Sequence, residues 1–439
     1  MAESSGPDAT GPRGAMISVA EHLESILGAV RRLDVVELDL PDAAGAVLAR
    51  DAISRLDLPG FDNSAMDGYA VRAADVARAS AASPVTLPVD GDVPAGCADP
   101  TPVASGRCVR VMTGAPMPAG ADAVVPVENS DGGAREVRIT APAGAHVRRR
   151  GTDLRAGDTV LTAGTRLGAR QIAVLAASGH GRVPAVRVPH VVVVSTGDEL
   201  VPPGVEPGPG QLVDSNSLML VTAAREAGFT AELVRGVVDT EDAVLAALDD
   251  AAGHADAIVT TGGVSMGVYD AVKAALSRLG TVEFTKVAMQ PGKPQGFGTI
   301  GAGATPVFTL PGNPVSAMVS FEVFVAPALR VMAGRRAHET RLVRAVADDS
   351  FTSPEGKTQF ARGVLRRTTT HHTVAAAGGQ GSHMLGSLAA ANALMVVPPE
   401  TTRVVPGQDV LCLPIGPIRY EDDEERSGFA GPELVGGPR

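Results

Sequence analysis

After Ser18, apolar residues return every three or four positions. Leu23, Ile26, Leu27 and Val30 fall on one face, and Ser18 with Glu21 makes a capping-box pattern ahead of them. That predicts a helix at the start of the ordered chain. Between about 53 and 154 the period shortens. Runs such as Val85-Thr86-Leu87-Pro88-Val89 and Cys108-Val109-Arg110-Val111 are short and punctuated by Pro and Gly, which predicts a small β-rich module without a long helix. Helical spacing resumes over 167–175 and stops at Gly179. From about 187 to 334 strands and helices alternate: strand 190–194, helix 218–227, strand 232–238, helix 241–252, strand 257–261, helix 271–279, strands near 282–287 and 307–310, and a long helix over 315–332. This alternation predicts a doubly wound parallel sheet. Short strands return over 338–418 (341–347, 374–377 and 410–413), predicting a second β domain.

The fold class expected is therefore α/β: a doubly wound parallel-sheet domain flanked by β-rich modules in an elongated multidomain chain. Length agrees, since 439 residues suit about three domains of roughly 150 each. The net charge of −11 argues against binding nucleic acid or an anionic membrane surface, and with no Trp and 3 Tyr there is no platform for stacking bases. No apolar run approaches the roughly 18 residues that span a bilayer. The three cysteines, Cys97, Cys108 and Cys412, form no disulfide framework and fit a reducing, cytoplasmic setting. Residues 1–15 and 421–439 read as disordered tails, the latter acidic and then Gly/Pro-rich.

In an open parallel sheet, ligands bind beyond the carboxyl ends of the strands. Three such ends carry unusual loops: Ser195-Thr196-Gly197-Asp198-Glu199, Thr260-Thr261-Gly262-Gly263-Val264-Ser265-Met266-Gly267, and Pro311-Gly312-Asn313-Pro314. Glycine lets the backbone approach a ligand, and the helix that follows offers free N–H groups to an anion. Lys293, between prolines in Pro291-Gly292-Lys293-Pro294, adds a positioned positive charge. The acids to consider are Asp67, Asp153, Glu199, Asp239 and Asp270. Carboxylates facing a phosphate repel it unless a divalent cation intervenes; where several converge, Mg²⁺ is the hard cation they would hold. Singly, Asp239 and Asp270 read as helix caps. The segment Asp62-Asn63-Ser64-Ala65-Met66-Asp67-Gly68-Tyr69 lies outside any period and reads as a site loop. Two motifs mislead. Gly263-Val264-Ser265-Met266-Gly267 matches the nucleophile elbow, but helical spacing begins only after Asp270. Gly356-Lys357-Thr358 lacks the first glycine of a P-loop, and His371, His372 and His383 lack metal-ligand spacing with any cysteine.

The segments FDNSAMDGYAVR (61–72), RVMTGAPMPAGADAVV (110–125), RRRGTDLRAGD (148–158), STGDEL (195–200), TTGGVSMG (260–267), PGKP (291–294) and LPGNPVSA (310–317) resemble the molybdopterin molybdenumtransferase family, MoeA and the gephyrin E domain. The resemblance spans about 16–416. It implies an enzyme that inserts molybdenum from molybdate into adenylylated molybdopterin and releases AMP, with Mg²⁺ dependence. It also implies four domains: 16–52 with 155–186, the inserted 53–154, 187–334, and 338–418. It implies as well a homodimer whose site is shared between protomers. By motif, the resemblance gives Asp67, Thr113, Asp153, Glu199, Asp239 and Asp270 catalytic roles, with Glu199, Asp239 and Asp270 toward the metal. Substrate binding falls to Thr196, Gly197, Gly262, Gly263, Ser265, Lys293, Pro311, Gly312, Asn313, Pro314 and Ser382. Gln290 stands where many relatives have lysine, so Lys293 is expected to carry the positive charge of its loop alone. The alternatives are a molybdopterin adenylyltransferase, which needs one α/β domain without flanking modules, and a non-catalytic scaffold of the same fold.

Overall fold

Valine-rich runs build the sheet on which the candidate site depends. The computed structural model describes residues 16–262, 264, 271–339 and 342–420. Both tails, Gly263, Ser265 and Asp270 lie outside the described residues. Six strands form one sheet: β1 (His190–Thr196), β2 (Thr230–Val237), β3 (Ala257–Thr261), β4 (Val282–Lys286), β5 (Pro294–Ile300) and β6 (Thr305–Leu310), in the order β2-β1-β3-β6-β5-β4. Along β1, Val191 and Val193 enter one core while Val192 and Val194 enter another. A sheet covered by helices on both faces requires apolar residues at every position, and this run supplies them. Helix α1 (Asn216–Glu226) and the long helix α4 (Pro314–Met332) pack in the first core; α2 (Glu241–Ala252) and α3 (Ala271–Leu279) pack in the second.

The sheet is not parallel throughout. β1, β2, β3 and β6 are parallel, but β5 runs antiparallel to both β4 and β6. Sequence reading passes over β5 because Pro-Gln-Gly-Phe-Gly resembles a turn. Its glycines serve close packing instead: a Cβ at Gly296 would lie 2.9 Å from Phe284 and Thr309, and one at Gly298 would lie 2.0 Å from the Thr281 carbonyl oxygen.

Helix α4 runs unbroken for 19 residues through a π turn at Phe321–Val325. Although Glu322 and Arg330 interrupt its apolar run, it is long and apolar enough to cross a membrane, with a mean hydropathy of 1.6. Yet 83% of its most apolar stretch is buried within the protein, so it is a core helix.

The chain forms two compact units, residues 35–185 and residues 16–34 with 186 onward. The helix Val19–Ala29 belongs to the second. Its capping box is closed by Ser18 and Glu21, each backbone amide donating to the other's side chain (2.7 and 3.1 Å). Ile26 and Val30 are buried in the α/β core, so residues 16–34 pack with that core rather than with 155–186. The same unit ends in a closed five-stranded barrel of Val343–Ala347, Thr358–Arg367, His372–Ala376, Asp409–Pro414 and Ala393–Val397. Met289–Gln290 pairs beside the barrel strand Thr358–Arg367.

Residues 35–185 hold a five-stranded sheet of Ala123–Pro126, Gly68–Val71, Cys108–Val111, Val85–Val93 and Glu136–Ile139, and the one α-helix within 53–154 is the short Ala73–Val76. Smaller sheets join Val35–Asp39, Arg182–Val186 and Val47–Leu48, and Ala52–Ile53 with Thr159–Leu161.

Candidate active site

Strand order reverses between β1 and β3, and in open α/β sheets that is where ligands bind. A cavity of about 400 Å³ opens there, lined among others by Thr196, Glu199, Thr261, Gly262, Asn313 and Pro314. All three glycine loops thus meet at one place. Gly262 donates its amide to the Leu310 carbonyl (3.0 Å), and a Cβ on Gly312 would sit 3.7 Å from Gly262 Cα. The starts of α1 and α4 both face this cavity through Asn216, Asn313 and Pro314, and the positive ends of the two helix dipoles favour an anion.

Asn216 ties the loops together. Its amide donates to the Gly312 carbonyl (2.6 Å) and to Thr261 Oγ1 (3.1 Å). Sequence reading misses it by starting the helix at 218; α1 begins two residues earlier, which puts Asn216 on its first turn. The polar run Asp214-Ser215-Asn216-Ser217 was the available signal. Asp214 is buried and accepts from the Ser217 amide and hydroxyl (3.2 and 2.5 Å). His383 also lines the cavity, a role its lack of metal spacing conceals. Ser382 enters through its backbone, its carbonyl accepting from the Val315 amide at the start of α4 (3.1 Å).

Glu199 folds back over Gly197, whose φ of +139° and lack of Cβ permit it; a Cβ there would meet Glu199 Oε2 at 2.7 Å. Asp198 Oδ1 accepts from the Asp239 amide (3.3 Å), so the loops after β1 and β2 are joined. Asp239 does not cap α2. Thr240 is the cap, accepting from the Ala243 amide. Glu199, Asp198 and Asp239 offer hard oxygen donors on adjoining loops, a set that suits Mg²⁺. The third expected ligand, Asp270, lies outside the described residues, and among the described residues these acids do not form a three-ligand cluster.

Lys293 faces a separate cavity of about 360 Å³, and it is not alone. Lys273 and Lys286 line the same space, so three of the four lysines in the chain gather there with Val264 of the TTGG loop. Lys273 also lies over the Phe284 ring, 5.7 Å from its centroid. The loop is clamped from behind: Gln295 donates to the Gly292 carbonyl and to Ser320 Oγ, both at 2.6 Å. Gln290 sits opposite Gln359 of the barrel. On that same barrel strand Arg362 is fully buried, and its Nη2 donates to the Gly379 and Gly381 carbonyls (2.5 and 3.2 Å) next to Ser382. Its Nε and Nη1 have no hydrogen-bond partner among the described residues. Burial pushes its pKa down, yet guanidinium stays charged in proteins, so a buried cation with two open donors calls for an anion.

In the unit 35–185, Asp67 and Thr113 meet. Asp67 Oδ1 accepts from the Thr113 amide (2.6 Å) and hydroxyl (2.9 Å). The amide first and the hydroxyl second hold the exposed carboxyl below its usual range. The surrounding segment is mostly architectural: Tyr69 is a buried core residue donating to the Gly133 carbonyl, and Asp62 pairs with Arg149 (2.6 Å). Asp153 is exposed, its amide donating to the Leu58 carbonyl (2.9 Å).

Residues 17–179 match the MoeA N-terminal region (domain I and II), 192–331 a probable molybdopterin binding domain, and 344–415 the MoeA C-terminal region (domain IV). The chain is 45% identical over 404 residues to molybdopterin molybdenumtransferase 2 of Mycobacterium tuberculosis (strain ATCC 25618 / H37Rv), covering 89% of this chain and 98% of that one. It belongs to the molybdopterin molybdenumtransferase family. The family's molybdopterin molybdenumtransferase from Nostoc sp. (strain PCC 7120) is 37% identical over 414 residues, with 92% and 94% covered. Among solved structures, the molybdopterin biosynthesis MoeA protein from Pyrococcus horikosii matches with a TM-score of 0.74 at 31% identity, covering 92% of this chain and all of that one. The family read from the seven motifs, and the multidomain α/β fold expected with it, both hold. The matches on either side of the α/β domain set the chain apart from a lone adenylyltransferase domain.

Proposed function

We propose that the chain is an enzyme that inserts molybdenum from molybdate into adenylylated molybdopterin and releases AMP, as a step of molybdenum cofactor biosynthesis. The observation that carries this reading is the cavity at the strand-order reversal, where three glycine loops and two helix starts converge on a space suited to an anionic ligand. Its backbone N–H groups would receive the substrate's phosphates, while Asn216 keeps the loops in register. The lysine cavity supplies counter-charge for a second anion, molybdate, and Ser382 follows Gly381, whose carbonyl the buried Arg362 holds. Asp67, held ionised by Thr113, is the group proposed to manage charge or a proton at the reacting centre. Asp153 joins it by motif, as Gly263, Ser265 and Asp270 join the loop after β3.

Mg²⁺ belongs to the same proposal, with Glu199, Asp239 and Asp270 as its holders; bound there, it would offset charge on phosphate oxygens. So does a homodimer with shared sites, and a cytoplasmic setting, which the cysteine usage fits. The four-part division into 16–52 with 155–186, 53–154, 187–334 and 338–418 is likewise proposed; the five-stranded sheet within 53–154 and the six-stranded sheet within 187–334 support it, while residues 16–34 pack with the α/β core. The test is reconstitution: adenylylated molybdopterin, molybdate and Mg²⁺ are supplied, and AMP and active cofactor should appear together. A folded protein that yields neither refutes the enzyme and leaves the scaffold.

A further inference from the structure

At the opposite edge of the same sheet, where the strands begin, three ligand-bearing side chains converge. His190 opens β1, Glu232 lies two residues into β2, and His254 follows α2. In the parallel register His190 stands opposite Thr230 and Val192 opposite Glu232, and Val192 enters the core beneath α2. The two side chains therefore emerge on the face that α2 covers, and the turn after α2 brings His254 to them. His254 Nε2 lies 2.6 Å from Glu232 Oε1, and His190 Nε2 lies 3.7 Å from Glu232 Oε2. One ligand atom from each of the three fits within 4.8 Å of the others, and the two rings stand 6.1 Å apart.

The far nitrogens fix which atoms are available. His254 Nδ1 lies 3.0 Å from the Asp250 carbonyl, which accepts but cannot donate, so Nδ1 carries the proton. His190 Nδ1 lies 3.0 Å from Thr230 Oγ1, whose own hydrogen goes to the Pro189 carbonyl (3.2 Å). Nδ1 of His190 is therefore also the donor. Both Nε2 lone pairs then aim at the Glu232 carboxylate, and an acceptor facing an acceptor at 2.6 Å needs a cation between them. In the metal-free protein a proton on His254 serves. Two imidazoles with Nδ1–H engaged by oxygen, plus one carboxylate, also form the donor set and outer shell of a transition-metal site. All three side chains are at least part-exposed, which leaves an ion its entry path and an open fourth position.

We propose that His190, Glu232 and His254 bind one Zn²⁺-class ion, remote from the catalytic cavity, and that it ties the starts of β1 and β2 to the turn after α2. Zn–ligand bonds of about 2.0–2.2 Å put tetrahedral ligand atoms roughly 3.3 Å apart, so the 2.6 Å His254–Glu232 pair opens and the wider separations, within 4.8 Å, close, which part-exposed groups can do. The donor set disfavours Mg²⁺, which prefers oxygen ligands and retained water.

The test uses the full-length, untagged, chelator-stripped protein, titrated with Zn²⁺ by calorimetry and with Co²⁺ by visible spectroscopy. One equivalent should bind, excess Mg²⁺ should not displace it, and thermal stability should rise with Zn²⁺. His190→Ala/His254→Ala should abolish saturable binding and the thermal shift while keeping the parent circular dichroism. Thr230→Val, which removes the outer-shell hydroxyl, should weaken binding about tenfold. Stoichiometric binding that survives in the double variant overturns the site, as does an absence of saturable binding in the parent at micromolar zinc.

Discussion

Replacing Asn216 by alanine isolates the contribution of loop register to the proposed reaction. Two bonds are lost, to the Gly312 carbonyl at 2.6 Å and to Thr261 Oγ1 at 3.1 Å. A hydrogen bond of this kind is worth about 1 kcal/mol net, so the loops lose about 1–2 kcal/mol of their preference for the observed arrangement. If substrate requires that arrangement, kcat/KM for AMP release falls about 5- to 30-fold. The change falls mainly on KM where the loops hold ground state and transition state alike. Thr261→Val keeps the shape of a buried side chain and removes one of the two bonds. Asn216→Ala and Thr261→Val share that bond, so the double variant should be less damaged than the sum of the singles by about 1 kcal/mol. Initial rates of AMP release across the four proteins, with melting temperatures alongside, give the cycle. An Asn216→Ala protein with unaltered melting and unaltered kcat/KM refutes the reasoning, and strict additivity refutes the Thr261 link.

Asp67→Asn keeps the acceptor for Thr113 but removes the charge; molybdenum insertion should drop severely with melting unchanged, and mixing with Glu199→Gln protomers should restore part of it if sites are shared. Titrating molybdate should show Lys293→Ala to be more damaging than Gln290→Ala, while Lys273 and Lys286 limit the loss to about tenfold and added salt shrinks it. Glu322, half-buried in α4, is held protonated to about pH 7 against an ordinary 4.5, desolvation being the main cause and Arg330 opposing it. The native state therefore loses stability as pH rises from 4.5 to about 7. Glu322→Gln should be more stable than the parent by up to about 3 kcal/mol at pH 8, with the gain fading toward pH 5, measured by urea unfolding.

What could be read from sequence tracks how locally each feature is specified. Helix α2 and strand β3 fall where their patterns predict because caps and apolar spacing act over a few residues. The glycine loops were legible for the same reason. β5 was not, because Gly296 and Gly298 answer to Phe284, Thr309 and the Thr281 carbonyl, neighbours that the chain order does not announce. Arg362 and Lys286 sit in strands without a local motif, and what distinguishes them is a buried guanidinium with open donors and a shared cavity. Tyr69 shows the converse, a residue whose polar company suggested a site but whose ring fills a core.

The break in the second unit has a consequence for synthesis. Ile26 and Val30 pack with Phe324 and Val191, and the Leu33 amide donates to the Met332 carbonyl (2.8 Å). On the ribosome, the helix at 19–29 therefore emerges first and waits for α4. At 5–20 residues per second, the roughly 300 residues between 29 and 332 take about 15–60 s to follow. Throughout that interval its apolar face is a client for a chaperone. The join itself is narrow: the Arg187 amide donates to the Asp34 carbonyl (3.1 Å), so the chain leaves and re-enters this unit at adjacent residues. Such an arrangement is what an inserted module leaves behind, and a short linker from 34 to 187 would cut the delay by about half.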